Sequence, residues 1–257
     1  MSNYAVQTLR RAGIPEPVAR SVASKLKIKS YDAQHIIWTK GGQIDSWQFI
    51  MSGLVAAAAP TQGAQSIPIK IYGPGSWFGE QPILNRMPSY LEFSCLTPTQ
   101  VITMPTALLW EIFDTEPGFS RYIAKLTAWR VQKATEMLML MKLGNPCLRV
   151  VMGIAQFAEA LASRSERPPT DGLDGGIEIP VKQNVIASLC GVSRTLVSEY
   201  LQRLAADCWL SVSYGRIELL SIGVWQRFTR SRRVHPMHHT NPTMDELLIE
   251  LYRASVV

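Results

Sequence analysis

The spacing of hydrophobic residues changes along the chain, and each change predicts a different kind of structure. Residues 3–27 show the three- and four-residue spacing of amphipathic helices, interrupted at Gly13 and Pro15. From residue 31 to residue 105, short apolar runs alternate with glycine and proline turns. Short strands at such intervals predict a small β-barrel or jelly roll.

Helical spacing returns at residue 106, and residues 118–143 predict one uninterrupted helix. A helix of ~25 residues is about 38 Å long, which is more than a small barrel can cover. We therefore expect part of this helix to pack against a second copy of the chain. A long helix buried within one subunit is the alternative. The residues expected at the dimer interface are Ile123, Leu126, Ala134, Met137 and Met141.

Two short helices and a hairpin are predicted towards the C-terminus. Gly191 supplies a turn between the helices, and Ser193 is placed to cap the second of them. A β-hairpin is predicted over residues 209–219. Helix, turn, capped helix and hairpin form a winged helix-turn-helix, whose second helix enters the major groove of DNA. For the two helices alone, a helical hairpin within a protein core is the alternative.

Charge favours nucleic acid as the partner of this segment. The formal net charge of the chain is +6, and residues 181–233 contain eight basic and three acidic residues. Such an excess attracts DNA phosphates, although a solvated basic surface would carry the same charge. We expect Arg194 to read a guanine and Lys182 to contact phosphate. Glu199 either accepts from a cytosine amine or, as the favoured reading, pairs with Arg203. The expected DNA-contact residues are Lys182, Gln183, Ser193, Arg194, Thr195, Ser198, Glu199 and Arg203.

Composition and motifs argue against membrane proteins and enzymes. No apolar run reaches the 18 residues of a membrane span, and no signal-peptide core follows the N-terminal basic residues, so we expect a cytoplasmic protein. The four cysteines lack CxxC spacing and are expected to be reduced thiols in the core. Residues 31–180 hold one histidine, too few for a metal-dependent jelly-roll enzyme. No nucleophile elbow or phosphate-binding glycine loop is present, so no catalytic residue is predicted.

The order of these elements resembles the Crp/Fnr family of bacterial transcription regulators. GPGSWFGEQPIL (73–84) is similar to the family's phosphate-cassette segment, and IASLCGVSRTLVSEYLQRL (186–204) is similar to its DNA-binding segment. The resemblance covers roughly residues 30–222. It implies an α+β fold class with a cyclic-nucleotide-binding-like β-barrel as sensor, a long dimerisation helix and a C-terminal winged helix-turn-helix.

The resemblance also implies an effector pocket, in which this sequence departs from the family. Members that bind cyclic AMP carry an arginine ten residues after the cassette glutamate. Counting from Glu80, that position is Tyr90, and a phenol cannot offer two guanidinium hydrogen bonds to phosphate. Thr135 either bonds a ligand or, more plainly, its own helix backbone. The pocket candidates are Gly79, Glu80, Arg86, Tyr90 and Thr135.

No cofactor is expected in this protein. Iron–sulfur members of the family carry cysteines at or before the start of the barrel, whereas the first cysteine here is Cys95. His35 is the single histidine of the sensor domain, which disfavours haem. The histidines of residues 235–239 are expected to form a polar loop, so no metal site is predicted. Tyr90 disfavours cyclic AMP.

The sequence therefore predicts a homodimeric, sequence-specific transcription regulator of the Crp/Fnr type that is not controlled by cyclic AMP. Its expected partners are double-stranded DNA with a palindromic operator, a second copy of the chain and RNA polymerase, with no membrane partner. The alternative is a small-molecule sensor whose C-terminal module docks a protein. The predicted domains are a sensor domain (1–117), a dimerisation helix (118–144), a DNA-binding domain (145–222) and a C-terminal extension (223–257).

Overall fold

The structure, a computed structural model, describes residues 2–61, 66–162, 176–213, 216–234 and 241–256. The helices are α1 (Ser2–Arg11), α2 (Glu16–Lys25), α3 (Glu80–Asn85), α4 (Thr106–Thr115), α5 (Pro117–Leu143), α6 (Pro146–Ala162), α7 (Gln183–Cys190), α8 (Arg194–Ala206), α9 (Ile222–Val234) and α10 (Met244–Val256). The strands are β1 (Lys27–Tyr31), β2 (Ile36–Trp38), β3 (Ser46–Ser52), β4 (Val55–Ala59), β5 (Ile67–Tyr72), β6 (Trp77–Phe78), β7 (Glu92–Cys95), β8 (Thr99–Pro105), β9 (Ile177–Ile179), β10 (Leu210–Ser213) and β11 (Arg216–Leu219).

Two compact units divide the chain. The first contains Met1–Val55 and Pro74–Thr135, and the second contains Ala56–Gly73 and Glu136–Val257. The division falls within the single long helix α5. Among the described residues, no helix is both long and apolar enough to cross a membrane.

The first unit is built on antiparallel strands around an aromatic core. Strands β1, β8, β3 and β6 form one sheet in that order, and β2 pairs with β7. Trp38 of β2 contacts both Phe93 of β7 and Phe78 of β6, so these rings join the two sets of strands. Trp47 and Trp77 stack with their ring centroids 3.9 Å apart. The predicted N-terminal β-sheet domain is confirmed, and aromatic side chains from its short strands fill one shared core.

The N-terminal residues form the two predicted helices, α1 and α2. Gly13 lies between them with a φ of +82°, a conformation that favours glycine. A Cβ at this position would lie 2.4 Å from the carbonyl oxygen of Gly118, so the two backbones are in direct contact. Position 13 in the turn between α1 and α2 therefore has no room for a side chain.

The second unit contains the winged helix-turn-helix. Helices α7 and α8 pack together, and β9, β11 and β10 form an antiparallel sheet with β11 in the centre. Strand β9 was not predicted, because three residues are too few for a readable alternation. Helix α9 was also missed, since its C-terminal half is strongly basic. The histidine-containing segment 235–239 lies outside the described residues.

Strands β4 and β5 are hydrogen-bonded neighbours, and residues Ala56–Gly73, which contain almost all of both strands, belong to the second unit. Strand β5 contacts α6 and α7. A Cβ added to Gly73, which follows β5, would lie 2.0 Å from the carbonyl oxygen of Ala160. Gly73 therefore permits the backbones of this segment and of α6 to touch.

Three of the four cysteines are core thiols, and the fourth departs from the prediction. Cys95, Cys147 and Cys190 are buried, and burial raises the pKa of the Cys147 thiol to about 11. Cys208 is exposed and has a φ of +59°. The error arose because Cys208 follows an apolar helix, but it lies in the turn that leads to the wing.

Candidate DNA interface and sensor core

The turn of the helix-turn-helix depends on one glycine and one cap. Helix α7 ends at Gly191, whose φ of +61° lies in the left-handed region that favours glycine. A Cβ there would lie 2.8 Å from Met141 Cε. Ser193 Oγ then accepts a hydrogen bond from the backbone nitrogen of Leu196 at 3.2 Å and caps α8. Both structural roles predicted for Gly191 and Ser193 are confirmed.

A tightly packed interior holds α8 in place. Val197, Leu201 and Leu204 of α8 are fully buried. Below the turn, a Cβ added to Gly153 of α6 would lie 2.4 Å from Cys190 Sγ, so the thiol packs directly on the helix backbone. Burial raises the pKa of Cys190 to about 12, which leaves it protonated and unreactive at neutral pH.

A cationic groove lies where the helix-turn-helix meets the wing. It has a volume of about 540 Å³. Lys182 at the start of α7, Arg194 at the start of α8 and Arg216 at the start of β11 all line it. The N-terminal ends of two helices add positive potential to these three side chains. The other lining residues are Val181, Gln183, Asn184, Ser213 and Ile217. Such a groove suits a phosphate backbone, which needs cations and hydrogen-bond donors together.

The remaining predicted DNA residues follow the exposed surface of α8. Thr195 and Glu199 are exposed, and Ser198 is half-buried. The expected ion pair between Glu199 and Arg203 is wrong. Arg203 instead forms an ion pair with Asp245 at the start of α10, forty-two positions later in the chain. The local i,i+4 spacing favoured Glu199, but a tertiary contact with α10 takes the guanidinium.

The cassette glutamate of the sensor domain lies in a closed network. Glu80 and Arg130 of α5 are both buried and form an ion pair. The second Nη of Arg130 donates to the carbonyl oxygen of Trp77, and Trp47 Nε1 donates to Glu80 Oε2 at 3.4 Å. Both oxygens of the Glu80 carboxylate therefore have protein partners, one on β3 and one on α5.

The other pocket candidates point to separate partners. Tyr90 donates from its hydroxyl to Gln81 Oε1 at 2.7 Å, and partial burial together with the nearby Glu80 charge raises the pKa of Tyr90. The exposed Arg86 guanidinium lies 5.2 Å from the centre of the Trp110 ring. Thr135 Oγ1 donates to the carbonyl oxygen of Val131 at 3.0 Å, which is the helix back-bond that the sequence predicted. Gly79 precedes α3 with a φ of +94°. Glu80, Arg86, Tyr90 and Thr135 thus each have a partner within the protein.

Both the N-terminal and the C-terminal part of the chain match known protein families. Residues 28–116 match the cyclic nucleotide-binding domain, and residues 155–223 match the Crp-like helix-turn-helix domain. The two matches come in the order found in Crp/Fnr regulators, and together they span more than half of the chain. The chain belongs to the Crp/Fnr family of DNA-binding transcription regulators.

Relatives of this Crp/Fnr regulator agree with the assignment. The transcriptional regulator SdrP of Thermus thermophilus is 22% identical over 208 residues, which are 79% of this chain and 94% of SdrP. The structure of FixK2 from Bradyrhizobium japonicum matches with a TM-score of 0.64 at 17% identity and covers 85% of this chain and 98% of FixK2. A CRP/FNR-family regulator from Thermus thermophilus has a TM-score of 0.59 at 17% identity, over 80% of this chain and all of that one. Both structural matches support the fold.

Among the five dimer residues predicted for this Crp/Fnr regulator, Ile123 needs correction. Ile123 is only 2% exposed and packs inside the first unit. Met137 Sδ lies 4.0 Å from Gln156 Nε2 of α6, and Met141 approaches the Gly191 turn, so both methionines contact their own DNA-binding unit. Leu126 is half-buried, and Ala134 alone among the five is exposed.

Four functional candidates in this regulator were missed by sequence reasoning. Arg216 and Ser213 line the groove from the wing, and Gln202 is exposed on α8 one turn beyond Ser198. Arg130 is the fourth, because it holds Glu80. A signal for Arg130 existed: it follows Phe119, Ile123 and Leu126 at helical spacing on the buried face of α5, where a cation needs a carboxylate partner.

Proposed function

We propose that this Crp/Fnr regulator binds a palindromic operator as a homodimer and reads one half-site with each α8. The groove lined by Lys182, Arg194 and Arg216 carries this proposal, since it supplies three cations beside the first turn of the recognition helix. In this arrangement Arg194 reads a base edge, while Lys182 and Arg216 bind phosphates on either side. Three converging cations argue against a protein partner for the module. RNA polymerase is the expected partner of the DNA-bound dimer.

Exposed residues on α5 support the dimer. Val131 and Leu138 are 63% and 56% exposed, and Ala134 lies between them. Positions 131, 134 and 138 follow the three-four spacing of a two-stranded coiled coil. We propose that this seam, which keeps Ala134 from the set predicted from sequence and adds Val131 and Leu138, meets its copy across the two-fold axis.

Substitutions in the groove are expected to separate base reading from phosphate binding. Arg194→Ala should cost on the order of 1–3 kcal/mol on a sequence selected by the wild-type protein and flatten discrimination at one base pair. Lys182→Ala should weaken binding to all DNA and lower the slope of log affinity against log salt by about one. Fluorescence anisotropy on selected and scrambled duplexes over a salt series measures both effects.

Arg216→Ala serves as the matched control, because it removes the same guanidinium from the wing side of the groove. Arg216 Nε lies 3.8 Å from Glu178 Oε1, so part of its charge is already offset, and Arg216→Ala should weaken binding to all DNA but lower the salt slope by less than Lys182→Ala does. If Arg194→Ala weakens selected and scrambled DNA equally, Arg194 anchors phosphate and does not read a base.

We further propose that cyclic AMP is not the effector. Tyr90 stands where cyclic-AMP-binding members carry arginine, and Arg130, the cation beside Glu80, is committed to Glu80 and Trp77. Tyr90 has no guanidinium, and the Arg130 guanidinium already binds Glu80 and Trp77. Neither residue therefore provides the arginine contact that cyclic-AMP-binding members make with the cyclic phosphate.

Isothermal titration with cyclic AMP is expected to show no binding in the micromolar range. The same titration with the selected operator duplex shows that the protein sample is active. Low-micromolar affinity for cyclic AMP would refute the proposal about the effector and leave the DNA-binding proposal intact.

A further inference from the structure

The first turn of α10 lies beside the last turn of the recognition helix. There, Asp245 of α10 forms the ion pair with Arg203 of α8. Both side chains are more than half exposed, so the pair contributes little to the stability of the fold. The ion pair has a larger effect on the surface charge of α8 than on the stability of the fold. Arg203 is an exposed cation on α8, the helix proposed to enter the DNA groove, and Asp245 offsets its charge.

The position of Asp245 is fixed by the packing of α10. Leu247 and Leu251 are fully buried, and α10 packs against α6, α8 and α9. A capping box sets where the helix begins: the backbone nitrogen of Thr243 donates to Glu246 Oε2 at 2.7 Å, and that of Glu246 donates to Thr243 Oγ1 at 3.3 Å. Asp245, two residues after the Thr243 cap, is therefore held in a defined place.

A second tie joins the start of α10 to the start of α6. Asn145 Oδ1 accepts from the backbone nitrogen of Leu148 at 2.8 Å and caps α6, while its Nδ2 donates to the carbonyl oxygen of Pro242 at 2.7 Å. In the middle of α10, Arg232 of α9 makes two hydrogen bonds to the Glu250 carboxylate, and near the C-terminal end of α10 Arg227 Nε donates to the carbonyl oxygen of Ala254 at 2.7 Å. Both ends of α10 are thus anchored within the DNA-binding unit, which keeps Asp245 next to Arg203.

We propose that Asp245 is a positioning residue that withholds the Arg203 guanidinium from DNA phosphates. It thereby lowers the part of the DNA affinity that does not depend on sequence. Each phosphate neutralised by a protein cation raises the salt slope by about 0.9, whatever the sequence. When Arg203 is paired with Asp245, Arg194 is the guanidinium that α8 presents at the groove. This inference rests on the proposed DNA-binding function, and it gives the C-terminal extension a role in it.

The test measures affinity for a scrambled duplex over a salt series, using full-length protein. Asp245→Asn keeps the shape of the side chain and removes its charge. It should raise affinity at low salt severalfold and steepen the salt slope by about 0.9. The same substitution in an Arg203→Ala background should change neither quantity, because no guanidinium is left to release.

Asp207→Asn is the matched control. Asp207 is exposed and directly follows α8, so its neutralisation removes a charge from the same end of the helix without freeing Arg203. The proposal is overturned if Asp245→Asn leaves the affinity unchanged or lowers it. It is also overturned if an equal rise occurs in the Arg203→Ala background or with Asp207→Asn. Failure of DNA binding by the wild-type protein would instead refute the proposed function.

Discussion

Leu138→Glu is expected to convert the dimer to monomers. Leu138 and Val131 are seven residues apart on the exposed side of α5, so in a two-fold seam each would meet its own copy. Full burial of a leucine side chain contributes about 1.5–3 kcal/mol, and the dimer contains two copies. The substitution also places two carboxylates against each other. Together these effects should raise the dimer dissociation constant at least about a hundredfold.

Sedimentation velocity at micromolar concentration measures the change. Lys125→Glu is the control, because it introduces the same carboxylate on α5 at an exposed position turned away from the seam. It should remain dimeric. A dimeric Leu138→Glu protein would show that the subunits associate elsewhere. Because two half-sites are read together, the monomer should also lose most of its affinity for a palindromic duplex.

Features with local sequence signals could be predicted. Gly191 and Ser193 mark the turn of the helix-turn-helix because a left-handed backbone and a helix cap each require particular residue types at one position. The spacing of Val197, Leu201 and Leu204 defines the buried face of α8. These signals involve neighbours within one or two helical turns, so they do not depend on the tertiary arrangement.

Partners that are distant in sequence could not be predicted in the same way. Helix α5 has two apolar faces, and periodicity does not show which of them is buried within the subunit. Ile123 was therefore assigned to the dimer, although it lies in the core. Arg203 was paired with its neighbour Glu199, whereas its partner is Asp245. In both cases the decisive contact is made by a residue whose position depends on the whole fold.

The position of Arg194 illustrates the same limit within the candidate site. Its place at the start of α8 follows from the Ser193 cap and could be predicted. The groove around it could not, since Arg216 comes from a hairpin strand and Lys182 from the helix before the turn. Strand β5 adds a further contact that no local pattern indicates, because Ile67 lines a second cavity together with Ser193 and Arg194.

Arg130→Met is expected to destabilise the sensor domain by about 3–5 kcal/mol, because it leaves the buried Glu80 carboxylate without its cation. It also leaves the carbonyl oxygen of Trp77 without the guanidinium hydrogen bond. The double variant Glu80→Gln with Arg130→Met should recover much of the loss, since an amide is far cheaper to bury than a carboxylate. Urea unfolding followed by tryptophan fluorescence measures the loss, and Trp47 and Trp77, two of the seven tryptophans, stack beside the pair.

Arg121→Met makes the same chemical change at an exposed position of α5 and should alter the free energy of unfolding by less than about 0.5 kcal/mol. If the ion pair stabilises the domain, Arg130→Met should lower the free energy of unfolding strongly. The double variant should recover part of that free energy, and Arg121→Met should lose none. If Arg130→Met unfolds at the same urea concentration as the wild type, Glu80 is stabilised by other groups. In that case Arg130 would be available to a ligand, and Tyr90 alone would disfavour the binding of a cyclic phosphate.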